Sequence, residues 1–234
     1  MKIDEAGSTV GTPAGTGVDG VRNFRDAGGL GALPSGVLYR SGALHTLSAR
    51  GARELTGLGV RTVVDLRSGP ETADRPDVLH GIPLTHLHVP VFAEQRWPDE
   101  QMALYPAMAE HAGRAVLAVL RRLAAGDGAP VLVHCASGKD RTGVVVALVQ
   151  TLFGAPEESV TEDFLRSNTA LGLSEPPLSS PAPRGHNTRP VTAAHLARAL
   201  LWIRSHHGSL PAYLRTRGAT EQDLAALPVG TPGI

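Results

Sequence analysis

The chain's single cysteine, Cys135, stands six residues before Arg141 in His134-Cys135-Ala136-Ser137-Gly138-Lys139-Asp140-Arg141-Thr142-Gly143. A thiol and a guanidinium so spaced can face one phosphate across a tight loop. Backbone N–H groups wound into a concave turn, with the positive end of a following helix, cradle a tetrahedral dianion. Gly138 and Gly143 permit the curvature. The field that holds the anion also favours the ionised sulfur, so Cys135 reads as a nucleophile. Arg141 can hold two equatorial phosphoryl oxygens with its planar fork, a geometry lysine lacks. The Thr142 hydroxyl is placed to donate to the sulfur when a covalent intermediate breaks down. His134 shapes the loop through backbone hydrogen bonds, and Ala136, Ser137, Gly138, Lys139, Asp140 and Arg141 form the phosphate-binding run.

Such a loop needs a strand before it and a helix behind it. Pro130 to His134 is a short apolar run suited to a strand, and Val144 to Phe153 stays apolar for too long to be another strand, so it reads as a buried helix. Val37 to Ser41 predicts a strand, and Ser48 to Leu58 a helix capped by Ser48 and stopped by Gly59. Arg61 to Leu66 reads as a central strand ending in Asp65. Thr85 to Val89 alternates and reads as an edge strand, with His86 and His88 on one face. Ala103 to Ala125 predicts one long helix with Pro106 near its start. Further helices are expected from Pro156 to about Ser167, over His195 to His206, over Leu210 to Thr216, and over Glu221 to Leu227 with Thr220 as cap. Residues 172–190 carry five prolines and predict no regular element. Residues 1–20 read as a flexible tail, and 21–234 as one domain. The fold class expected is α/β, a mostly parallel sheet flanked by helices.

Apolar residues make up 42% of the 234 residues and aromatics only 4%, so the core must be built from Val, Leu and Ala. Basic and acidic residues balance at 22 each, which argues against bulk-charge attraction to nucleic acid or acidic membranes. Attraction to phosphate must then be local. One cysteine excludes an internal disulfide and suits a reducing compartment. Neither a signal peptide nor a membrane span is visible, and the cytoplasm is the expected location. The ten histidines include no His-x-x-x-His pair and there is no Cys-x-x-Cys, so no metal or other cofactor is expected.

The loop resembles that of the cysteine-dependent phosphatases. Asn23-Phe24-Arg25-Asp26-Ala27-Gly28-Gly29-Leu30, Leu38 to Leu44, Val63 to Ser68 and Asp163-Phe164-Leu165-Arg166-Ser167-Asn168 follow the block order of one branch, the bacterial and fungal tyrosine-phosphatase-like group with a Gly-Lys-Asp-Arg loop. The resemblance spans residues 21–225. It implies a phosphatase-like fold and metal-independent hydrolysis of phosphomonoesters through a phosphocysteine, on phosphotyrosine in proteins and, through Lys139, on phosphoinositides. Some relatives are exported without a recognisable signal. Others carry a helical lid where this chain has its proline-rich stretch.

The leaving group needs a proton, and a positioned acid contributes roughly 10²- to 10⁴-fold. Asp140 ranks first, because the branch implicates the aspartate at this place; its other role would be to hold Lys139 and the loop. Asp99, in Trp97-Pro98-Asp99, matches the acid loop of vertebrate-type tyrosine phosphatases and lies 36 residues before Cys135, but it also reads as part of a surface turn. Asp65 is the third candidate and more often such a residue anchors an arginine. Asn23, Arg25, Asp26, Arg40 and Arg67 are expected to buttress the loop. The alternative function is a phosphate-binding module with little turnover, which the presence of both Cys135 and Arg141 disfavours. An arsenate reductase would want further resolving cysteines.

Overall fold

The computed structural model describes residues 17–94, 98, 100–174 and 188–228. In chain order its elements are β1 (Arg25–Asp26), β2 (Leu38–Ser41), α1 (Ala49–Gly57), β3 (Thr62–Asp65), α2 (Gly69–Asp74), β4 (Thr85–His88), α3 (Gln101–His111), α4 (Gly113–Ala124), β5 (Val131–His134), α5 (Asp140–Leu152), α6 (Glu157–Leu171), α7 (Ala193–His207), α8 (Leu210–Thr216) and α9 (Glu221–Ala225). The strands lie in the order β1-β2-β5-β3-β4, with β1 antiparallel and every other neighbouring pair parallel. β5 is therefore central. Its C-terminal end delivers Cys135 to the edge of the sheet where α/β proteins place their ligands.

Alternation along the strands divides the core. Val64, Leu66, Val131 and Val133 pack with α4, α5, α7 and α8, while Tyr39, Val63 and Leu132 pack with Leu47, Ala52 and Leu55 around α1. Val18 is buried in the second cluster, so the packed structure takes in residues before Val21. Every residue from Val144 to Val149 is buried, as an all-round apolar helix requires. α5 is thus the rigid post behind the loop.

Ser48 caps α1 by accepting from the Gly51 amide, Thr220 caps α9, and β4 is the sparsely covered edge. The expected helix over 103–125 is two helices, broken at Ala112. Tyr213 explains the break: its hydroxyl donates to the Ala109 carbonyl at 2.5 Å, and the Gly113 amide hydrogen-bonds to the same hydroxyl. Those two groups would have bonded each other in a continuous helix. A Cβ on Gly113 would lie 2.4 Å from Arg217 Cγ, so only glycine lets α8 approach. Pro106 sits well inside α3, not near its start. α6 runs on to Leu171, where Gly172 takes the left-handed conformation at φ 64° and stops it.

Candidate active site

His134 ends β5, and the chain then turns through Cys135 to Lys139 before α5 starts at Asp140. Four consecutive carbonyls of this turn are taken up, three by groups from elsewhere in the chain and the fourth by the first turn of α5. Ala43 donates its amide to Ala136 O (3.1 Å), and Asn23 Nδ2 donates to Ser137 O (3.1 Å) and Gly138 O (3.0 Å). Arg40 donates to Gly138 O at 3.0 Å, and the Gly143 amide donates to Lys139 O, also at 3.0 Å. With the carbonyls drawn outward, the amides between them are left for the concave side. Among the described residues, the amides of Ala136, Ser137 and Gly138 have no acceptor.

Two glycines make the turn possible. Gly138 sits at φ +70°, and a Cβ there would lie 2.2 Å from Ser41 O; one on Gly143 would lie 2.6 Å from the Phe164 ring. The outer brace is itself braced. Asn23, held at φ 57°, receives Arg25 Nη1 on its Oδ1 at 2.5 Å, and Arg25 and Arg40 share the two oxygens of Asp163 at 2.8 and 2.7 Å. Burial and the neighbouring Arg40 charge lower the Arg25 pKa to about 10 against the pull of Asp163. Asn23, Arg25 and Arg40 thus stand where a loop buttress was expected. Asp26 does not: it accepts from the amides of Gly28 and Gly36 and shapes that turn instead.

Arg141 is 7% exposed, and its fork is met by Glu71, Nη1 to Oε2 at 2.5 Å and Nη2 to Oε1 at 2.7 Å. Burial opposes the guanidinium's charge, yet the Glu71 hydrogen bonds and the attraction of Cys135, Glu71 and Asp140 hold its pKa above the ordinary value. Burial likewise works to raise Glu71. The Arg141 fork and the amide and hydroxyl of Ser68 overcome it and bring the carboxyl down to about 2. Sequence reasoning passed over Glu71, although Ser68-x-x-Glu71 is a capping-box signature at the start of α2. Because the folded value lies below the ordinary 4.5, the stability this carboxylate contributes is complete above about pH 4.5 and is lost as pH falls through about 2. Urea unfolding of Glu71→Gln should therefore show a deficit against wild type that is constant from neutrality to about pH 5 and closes toward pH 2. Its kcat should fall ~10- to 100-fold, because the fork is no longer aimed.

Lys139 departs from expectation. Its side chain is fully buried, with Nζ donating to Arg189 O at 2.7 Å and lying 3.2 Å from Asp140 Oδ1, so it neither faces the cradle nor stands in solvent. Asp140 Oδ1 also accepts from the Tyr105 hydroxyl at 2.6 Å, and Tyr105 stacks on His195. Tyr105 carries no sequence signal for this role. Asp65 is sealed at zero exposure and bound by the Arg67 amide and guanidinium at 2.7–3.1 Å, which removes it as a proton donor. His134 is equally buried, its Nδ1 3.4 Å from Cys135 O. The Thr142 hydroxyl is buried and, among the described residues, has no hydrogen-bond partner, the Cys135 sulfur included. Trp97 and Asp99 lie outside the described residues, as do residues 1–16 of the expected tail and 175–187 of the proline-rich stretch. Beside the loop, Ala136 and Ser137 form one wall of a cleft of about 680 Å³ that Arg22, His45, Arg75 and Leu171 also line.

A sequence model of the tyrosine phosphatase family matches residues 16–228. The chain belongs to this family. Among relatives of the phosphatase, it is 31% identical over 260 aligned positions to the triple specificity protein phosphatase PtpB of Mycobacterium tuberculosis, covering 86% of this chain and 93% of that one. A tyrosine-protein phosphatase of Nostoc commune is 26% identical, with 85% and 75% covered. Solved structures to which the chain is similar include the core catalytic domain of the PP-IP phosphatase SIW14 from S. cerevisiae (13% identity, TM-score 0.49, 90% of this chain and 99% of that one). TpbA of P. aeruginosa is another (21%, 0.45, 79% and 88%). Among the described residues of the phosphatase, no helix is long and apolar enough to cross a membrane.

Proposed function

We propose that this phosphatase hydrolyses phosphotyrosine in proteins through a phosphocysteine at Cys135. The observation that carries the reading is the set of loop carbonyls turned outward by Ala43, Asn23, Arg40 and Gly143, beside an arginine aimed by Glu71. The sulfur attacks phosphorus, the P–S bond forms as the P–O bond breaks, and the loop amides with Arg141 hold the equatorial oxygens. Asp140 gives the leaving oxygen its proton, with Tyr105 and Lys139 fixing the carboxyl through Oδ1. Water then attacks phosphorus, Asp140 takes the proton back, and the unbonded Thr142 hydroxyl is available to the departing sulfur. No metal takes part.

A second substrate class is favoured by one observation. Arg22, His45 and Arg75 line the cleft next to the loop together with Glu71, which is committed to Arg141, and Asp74, which lies 3.3 Å from Arg75, so a further anionic group such as a second phosphate of a phosphoinositide would meet Arg22 and His45 there and compete with Asp74 for Arg75. This role belongs to the cleft and not to Lys139.

Turnover on a phosphotyrosyl peptide, a phosphoseryl peptide and a phosphoinositide tests both readings. The phosphotyrosyl peptide should give the highest kcat/KM, and Arg22→Ala with Arg75→Ala should weaken phosphoinositide turnover by ~10-fold or more while sparing para-nitrophenyl phosphate. Failure to hydrolyse the phosphotyrosyl peptide would overturn the first. Asp140→Asn should slow alkyl phosphates ~10²- to 10³-fold and para-nitrophenyl phosphate far less, since a good leaving group needs little protonation. Equal losses on both would remove Asp140 as the acid.

A further inference from the structure

Strand register gathers a cluster that no sequence spacing announces. Asp65 of β3 pairs with His134 of β5, and Val63 two residues earlier pairs with His86 of β4, so the side chains of Asp65, His86 and His134 project from one face of the sheet. Asp77, from the segment after α2, reaches the same point. Potential ligand atoms of Asp65, Asp77, His86 and His134 all lie within 4.8 Å of one another.

The protonation pattern of this cluster is incomplete. His134 is fully buried, and its Nδ1 faces oxygen acceptors, Cys135 O at 3.4 Å and Asp65 Oδ1 at 3.8 Å. A ring with its N–H on that side presents a lone pair at Nε2. That Nε2 lies 3.0 Å from the carboxylate oxygen Asp77 Oδ2, close enough to help hold the Asp77 carboxyl below the ordinary range, and among the described residues it has no other partner. With the ring proton on Nδ1, the lone pair and the carboxylate oxygen at this distance require a positive centre between them. His86 Nε2 converges on the same Oδ2, also at 3.0 Å.

We propose that Asp77 Oδ2, His86 Nε2 and His134 Nε2 form a site for a divalent transition-metal ion of the zinc type, directly behind the nucleophile. Two imidazoles and a carboxylate are a ligand set zinc accepts, with solvent as the fourth ligand. The supporting shell is in place. Asp77 Oδ1 accepts from the Leu44 amide at 3.0 Å and lies 2.8 Å from Arg67 Nη2, and the second nitrogen of His134 faces a backbone carbonyl. Arg67 offsets one of the two carboxylates, leaving one net negative charge to attract the ion. The His86 side chain is 33% exposed and provides the way in. The ion takes no part in hydrolysis; by gripping the residue before Cys135 it restrains the nucleophile's backbone and acts as a brake.

Zinc chloride titrated calorimetrically into full-length Cys135→Ser, which lacks the competing thiolate, is the test. The proposal expects one equivalent bound, an absorption spectrum with nitrogen and oxygen ligands near ~2.0 Å, and affinity weakened on the order of 10²-fold in Cys135→Ser/His86→Ala. His86→Ala alone should keep the metal-free activity while escaping zinc inhibition, which in wild type lowers kcat without raising KM. No binding to Cys135→Ser, which would mean that a proton stands between His134 and Asp77, or equal affinity with and without His86, would overturn it.

Discussion

Cys135→Ser is expected to abolish hydrolysis of para-nitrophenyl phosphate, lowering kcat by on the order of 10⁴-fold or more, while wild-type turnover survives chelator. A serine hydroxyl is nearly isosteric with the thiol, so the loop should keep its shape and its affinity for inorganic phosphate. What disappears is the nucleophile. The described residues around the cradle offer no substitute. Glu71 is committed to Arg141, Asp65 to Arg67, and His134 is buried behind the loop. Residual turnover within tenfold of wild type would mean that water attacks phosphorus directly, with the cysteine as a spectator.

Arg141→Lys is expected to cost about 10³-fold in kcat/KM, close to the loss expected for Arg141→Ala. The fork spans both oxygens of Glu71 and must still present N–H groups to two phosphoryl oxygens. An ammonium cannot meet that geometry from a flexible stem. Stability should fall as well, because a buried carboxylate is left with weaker donors. Were Arg141 only a counter-charge for Glu71, lysine would preserve most of the activity, so steady-state kinetics of the two variants separates aiming from charge.

The loop itself was legible in the sequence because its chemistry is local: Cys135, Gly138 and Arg141 are close in the chain, and the runs on either side betray a strand and a helix. Caps were legible for the same reason, as at Ser48 and Thr220. What escaped depends on groups brought together by the fold. Tyr213, 104 positions beyond Ala109, cuts the helix at Ala112 by occupying the Ala109 carbonyl, and nothing between residues 103 and 125 signals it. Lys139 reads as a phosphate ligand until the chain returns at Arg189 to take its ammonium. Glu71 carried a local signature, the capping box, but its second role toward Arg141 depends on how α2 meets the loop. The register that aligns Asp65, His86 and His134 is set by strand pairing, which periodicity cannot give.

The claim that hydrolysis passes through the sulfur of Cys135 is tested most directly by acid-quenching turnover within milliseconds and mapping the phosphoryl group by mass spectrometry. The account predicts that it is found on the peptide containing Cys135 in wild type, accumulates in Asp140→Asn during water attack, and is absent in Cys135→Ser. A phosphoryl group on any other residue, or a full catalytic burst with none on the protein, would contradict it.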